Sequence, residues 1–137
     1  MTFVLDASTA LTWCLEDEAD ARADSFLVRI GEEQALAPAV WPLEVANGLR
    51  SAGRRGRIDE RDLPAARQLL LSLPIQVEEL SLARALADVL QLARALAISA
   101  YDASYVDLAL RRGVPLATLD EQLSSAAVAA GAQLLVA

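Results

Sequence analysis

Apolar residues along this chain fall into two textures: short unbroken runs, and longer stretches where they recur every three or four positions. Residues 2–5, TFVL, predict a short buried strand, and Ala7 to Leu15 a helix with Ser8 or Thr9 as its N-cap. EDEADARADSFLVRI opens on acids and puts Phe26, Leu27 and Ile30 on one face, the pattern of a second helix. QALAPA reads as a strand stopped by Pro38. From Trp41 to Ala52 a helix with Pro42 in its first turn carries Leu43, Val45, Ala46 and Leu49, and Gly53 and Gly56 stop it. Asp59 is expected to cap a helix running to about Leu73. PIQVEEL alternates as a strand does, and Ser81 caps a long Ala- and Leu-rich helix to near Ala97. Tyr101 to Arg112 reads as a helix ended by Gly113, VPLATL as a strand, Glu121 to Ala130 as a helix and AQLLV as a last strand.

Short apolar strands alternating with helices predict an α/β fold. The expected architecture is a three-layer α/β/α sandwich with a mainly parallel central sheet, forming one domain over residues 1–137. Such sheets bind ligands beyond the carboxyl ends of their strands. Two predicted strands stop at an aspartate there: FVLDAS at Asp6 and LATLDE at Asp120.

Composition narrows the chemistry. With 55% hydrophobic and 23% charged residues, the chain has the balance of a globular domain. No apolar run reaches the roughly 18 residues that span a bilayer. The N-terminus lacks a secretory pattern and Cys14 is alone, so a cytoplasmic protein without membrane contact is expected. There is no histidine, and all 12 basic residues are Arg. Imidazole bases, Schiff-base lysines and the phosphate-binding lysine of a P-loop are therefore excluded. A net charge of −7 argues against a nucleic-acid coat, though not against an enzyme reaching nucleic acid through bound cations.

Most acids have ordinary explanations. Glu16, Asp17, Glu18 and Asp20 suit a helix start, and Asp107, four residues before Arg111, suits a surface ion pair. Four resist such readings as a set. Asp6 and Asp120 end apolar strands, Glu44 sits among apolar neighbours in VWPLEVANGL, and Asp102 opens a helix in ISAYDASYVDLAL. Four carboxylates brought together would repel and take up protons unless hard divalent cations, Mg²⁺ or Mn²⁺, joined them. Two such ions can activate water and stabilise the leaving oxygen of a phosphodiester.

Asp6 in VLDAS, Glu44 in PLEVANGLR, Asp102 in SAYDASYVDLA and Asp120 in LATLDEQL resemble the four acidic motifs of PIN-domain ribonucleases, most closely the VapC-like toxins. The resemblance covers nearly the whole chain. It implies a Mg²⁺- or Mn²⁺-dependent endoribonuclease with Asp6, Glu44, Asp102 and Asp120 as metal-binding and catalytic acids. Ser8, Asn47 and Thr118 match its supporting polar positions. It also implies an RNA substrate, a homodimer, and a small VapB-like antitoxin whose tail enters the acidic pocket. An apolar docking surface is expected on the early helices and the Trp41 helix, with Trp13 and Trp41 as candidates. Arg50, Arg54, Arg55 and Arg57, just past Glu44 in sequence, are candidate RNA contacts, set against an ordinary pairing with Asp59. A phosphatase or receiver is disfavoured because both rely on a lysine. A non-catalytic PIN-like module that binds RNA or protein is the other reading.

Overall fold

A computed structural model describes all 137 residues. Strands β1 (Thr2–Leu5), β2 (Gln34–Ala37), β3 (Ile75–Val77) and β4 (Leu116–Ala117) form one parallel sheet in the order β3-β2-β1-β4. Val4 pairs with Leu36 on one side and Leu116 on the other, which makes β1 central. Phe3, Val4, Leu5, Leu36 and Leu116 are wholly buried, as strands covered on both faces require.

The helices are α1 (Ala7–Thr12), α2 (Ala21–Ile30), α3 (Trp41–Arg54), α4 (Leu63–Ser72), α5 (Leu82–Arg84), α6 (Leu90–Leu96), α7 (Ala100–Arg112) and α8 (Glu121–Ala129). The chain steps outward from β1 to β3, then returns across β1 to β4. Right-handed crossovers therefore put the first helices on one face and the later ones on the other. The packing agrees, with α1 against α2 and α3, and α7 against α6, α8, β1 and β4. The expected three-layer sandwich is the observed one. No helix is long and apolar enough to cross a membrane.

Local departures have local causes. Asp6 itself, not Ser8 or Thr9, caps α1, which stops at Thr12; Glu16–Glu18 make a separate 3₁₀ turn before Asp20 caps α2. Asp59 turns the chain by accepting from the Arg61 amide at 2.8 Å, so α4 waits until Leu63. The long Ala/Leu helix is continuous from Leu82 to Leu96, with Ser81 as its cap as expected; a π turn at Ala85–Val89 widens it, and it ends at Ala97 in the left-handed region at φ 55°. The last expected strand is reduced to one bridge, Leu116 to Leu134.

Asp107 corrects an expectation: it is buried. Helix α7 is the central helix of its layer, with Ala103 to Ala109 all covered, so position 107 has no solvent to face. Its Oδ2 accepts from Arg111 at 3.0 Å and from Arg84 at 2.9 Å, tying α5 to α7. Asp107→Asn should lower stability by about 2 kcal/mol, read as a lower urea midpoint, because charge-assisted bonds to two guanidinium groups are lost. The cost stays moderate because both arginines are partly exposed and regain water.

Candidate functional site

Every strand of a parallel sheet ends on the edge where the following helix begins, so helix N-termini gather at that edge. The four singled-out acids all occupy such N-termini. Asp6 is the N-cap of α1 and Asp120 that of α8, while Glu44 and Asp102 lie in the first turns of α3 and α7. β1 and β4, which deliver Asp6 and Asp120, are neighbours where the order of connection reverses, the switch point at which open sheets hold ligands. The positive ends of four helices face the same acids and offset part of their charge.

Asp6 is the best-held of the four. Its Oδ2 accepts from the Ser8 hydroxyl at 2.5 Å and from the Thr118 hydroxyl at 2.8 Å, and Oδ1 accepts weakly from the Ser8 amide at 3.4 Å. Burial still pushes its pKa up, against those bonds, and Asp120 adds repulsion. The pKa of Glu44 is raised by burial and by the charges of Asp6 and Asp102, although a bond from Tyr105 opposes this. That of Asp102 is raised by burial, then by Asp6 and Asp120. Each of these three carboxylates thus feels the charge of at least one other acid of the set. Asp120 is exposed, and its Oδ1 accepts from the Leu123 amide at 2.8 Å.

The donor set fits a hard divalent cation. It is entirely carboxylate and hydroxyl oxygen, it repels itself, and Asp120 and Glu44 each spend one oxygen on the protein and keep the other. No three of these side chains already stand at ligand spacing about one point. Glu44 and Asp102 are only half-buried and Asp120 is exposed, so side-chain rotation is the adjustment left to them.

The supporting residues divide. Ser8 and Thr118 both bind Asp6, and the Thr118 hydroxyl also accepts from the Asp120 amide at 3.0 Å, bridging two of the acids. Asn47 is exposed, one turn beyond Glu44. Tyr105, absent from the residues singled out in the sequence, donates its hydroxyl to Glu44 Oε1 at 2.6 Å. Its phenol is held far above the usual range by burial and by the adjacent carboxylates. Ser99, three residues before Asp102, is the actual cap of α7, accepting from the Asp102 amide at 3.0 Å.

The arginines lie farther off than sequence adjacency implies. Glu44 is in the first turn of α3 and Arg54 in the last, so Arg50 is displaced by about 9 Å along the axis and Arg54 by about 15 Å. Arg50, Arg54 and Arg55 are exposed. Arg57 pairs with Asp17 and Glu18, both at 2.8 Å, rather than with Asp59, so its charge is already committed. Trp41 belongs to the core at 8% exposure, and Trp13 donates its indole N–H to Ala23 at 2.9 Å. The apolar surface near Trp41 is instead a groove between α3 and α4 lined by Val45, Leu49, Leu63 and Leu70.

Comparison with known proteins gives concordant results. The sequence profile of the PIN domain matches residues 3–129. Ribonuclease VapC3 of Pyrobaculum aerophilum is 32% identical over 124 residues, spanning 90% of this chain and 93% of that protein. The crystal structure of PAE2754 from Pyrobaculum aerophilum superposes with a TM-score of 0.67 at 26% identity, over 92% of this chain and 87% of its own. Two structures share the fold at lower identity. VapBC2 from Rickettsia felis, bound to a DNA fragment from its promoter, gives a TM-score of 0.64 at 13%, covering 91% and 92% of the two chains. FitAcB from Neisseria gonorrhoeae gives 0.65 at 14%, covering 97% and 96%.

Proposed function

This chain belongs to the PIN-domain family, among its VapC-like members, and on that footing we propose that it is a divalent-cation-dependent endoribonuclease, the toxin of a toxin–antitoxin pair. What supports this reading is that the four acids lie at four separate helix N-termini and that Asp6 and Asp120 flank the switch point between β1 and β4. Asp6, Asp102 and Asp120 would hold a Mg²⁺ or Mn²⁺ ion, with Glu44 serving a second ion or the attacking water. Bound there, the cation supplies Lewis-acid polarisation of the phosphate and acidifies water.

The chain's own residues set the rest. Ser8 and Thr118 keep Asp6 in one rotamer, and the four helix ends favour anionic groups, including the phosphate being cut. On this reading the attacking oxygen is that of water, and the substrate 2′-hydroxyl need not take part. Cleavage then leaves a 5′-phosphate and a 3′-hydroxyl. The test is incubation with folded RNA in Mg²⁺, in Mn²⁺ and in excess chelator. Cutting is expected with either ion, should stop with chelator, and should survive a single 2′-deoxy substitution at the cut site. Intact RNA under all conditions would leave only a binding module.

The exposed arginines Arg50 and Arg54 of α3 and Arg55 at its C-cap would grip RNA phosphates away from the cut. Replacing Arg50, Arg54 and Arg55 with Gln should weaken RNA binding and lower the slope of log affinity against log salt by about 2, at roughly 0.7 per phosphate contact on single strands. Metal affinity should not change. An unaltered slope would place the RNA elsewhere. The α3–α4 groove is the apolar surface we assign to the antitoxin, and a homodimer is the expected assembly.

A further inference from the structure

Tyr105 is wholly buried, yet its hydroxyl reaches two groups of the acid cluster's framework. It accepts from the backbone N–H of Ala7 at 3.3 Å, immediately after Asp6, and donates to Glu44 Oε1 at 2.6 Å. The direction of both bonds is forced. An amide nitrogen only donates, so it occupies a lone pair of the phenol, and the phenolic proton is left for the carboxylate. Oε1 of Glu44 is thereby committed to the protein, and Oε2 is the oxygen free to turn toward Asp6 and Asp102. Glu44 is only half-buried on a first helical turn, and this bond is the one that holds its side chain in place.

We infer that Tyr105 is a positioning residue: it anchors Glu44 to the backbone beside Asp6 and so fixes the orientation in which the second carboxylate oxygen is presented to a divalent cation. The inference rests on the cation-dependent reading of the site. It assigns Tyr105 no contact with RNA or with the ion. A tyrosine that merely fills the core would use its ring alone, whereas here ring and hydroxyl have separable roles.

The experiment measures Mn²⁺ binding to the free protein by calorimetry, without RNA, for wild type, Tyr105→Phe, Glu44→Ala and the double variant. Tyr105→Phe is expected to weaken Mn²⁺ binding 10- to 100-fold, the usual effect of removing the partner of a metal ligand. In the Glu44→Ala background the same change should alter affinity less than twofold, because there is no longer a carboxylate to place. Wild-type affinity in Tyr105→Phe, or a full loss persisting in the Glu44→Ala background, overturns the inference. Should Tyr105→Phe fail to fold, 3-fluorotyrosine at position 105 keeps both ring and hydroxyl. Its ¹⁹F resonance should shift on adding Mg²⁺ to the wild-type background and stay fixed in Glu44→Ala. An unmoved resonance in both overturns the inference as well. Because the ion is read without RNA, a protein that binds Mn²⁺ but cuts nothing ends the ribonuclease reading, while the Tyr105 comparison still decides this one.

Discussion

Asp6→Asn is expected to reduce RNA cleavage by about 10³-fold or more without unfolding the protein. Polarisation by a held cation contributes several kcal/mol to such a reaction, and each 1.4 kcal/mol is roughly a factor of ten. Asp6 is the one acid of the four that is buried and gripped on both oxygens, so removing its charge affects the ion's position and its affinity together. The structural cost is small. Asn caps helices as well as Asp does, and its one carbonyl oxygen can take the place of Oδ2 between Ser8 and Thr118. Repulsion falls as well, since the Asp6 charge raises the pKa of both Glu44 and Asp102. The melting temperature of the ion-free variant should therefore equal or exceed that of wild type while cleavage of labelled RNA disappears. Activity within tenfold of wild type, in a variant that melts normally, would show that the reaction does not use this cluster.

Asp6 and Asp120 were legible because an apolar strand that stops at a carboxylate has only its carboxyl edge on which to put the charge. Glu44 was legible as an acid among apolar neighbours, though its place in the first turn of α3 also gives it the favourable end of a helix dipole. Tyr105 was not. An aromatic residue in SYVDLAL reads as core, which its ring is, and no local pattern shows that its hydroxyl meets a carboxylate 61 positions away. Asp107 misled for a related reason. Its i,i+4 arginine is real, but Arg84 arrives from another helix, and the covering of α7 on all sides depends on its central place in the layer. Ser99 could have been found, since a serine three residues before an acid is a known helix-start pattern. The arginines show how adjacency in sequence deceives on a helix, because 14 residues of α3 separate its two ends.

Divalent cations should raise the melting temperature by about 10 °C at neutral pH, and acid should shrink that rise. Burial and mutual repulsion lift the pKa values of Asp6, Glu44 and Asp102 in the folded state. Between the ordinary carboxylate range and those raised values, the folded protein binds more protons than the unfolded chain. The stability of the ion-free protein must then fall as pH rises through the raised values, and recover on mild acidification. Asp17, Asp20 and Asp59 act oppositely: Arg57, Arg22 and Arg61 hold their pKa values down, so the stability they add is lost only as pH drops below the ordinary range. Ion-free stability should accordingly peak on the acid side of neutrality. A cation that binds only the folded state removes the need for protons. At a hundredfold excess over its dissociation constant it adds about 2.7 kcal/mol, close to 10 °C for a domain of this size. Protons compete for the same oxygens, so the increment should decline steadily from pH 7.5 to 5.5. Asp102→Asn and Asp120→Asn should each blunt it at every pH. Scanning calorimetry with Mg²⁺, with Mn²⁺ and with chelator across that range decides the matter. A melting temperature indifferent to both ions, or an ion-free protein that only gains stability up to neutral pH, would mean that these carboxylates do not share a cation.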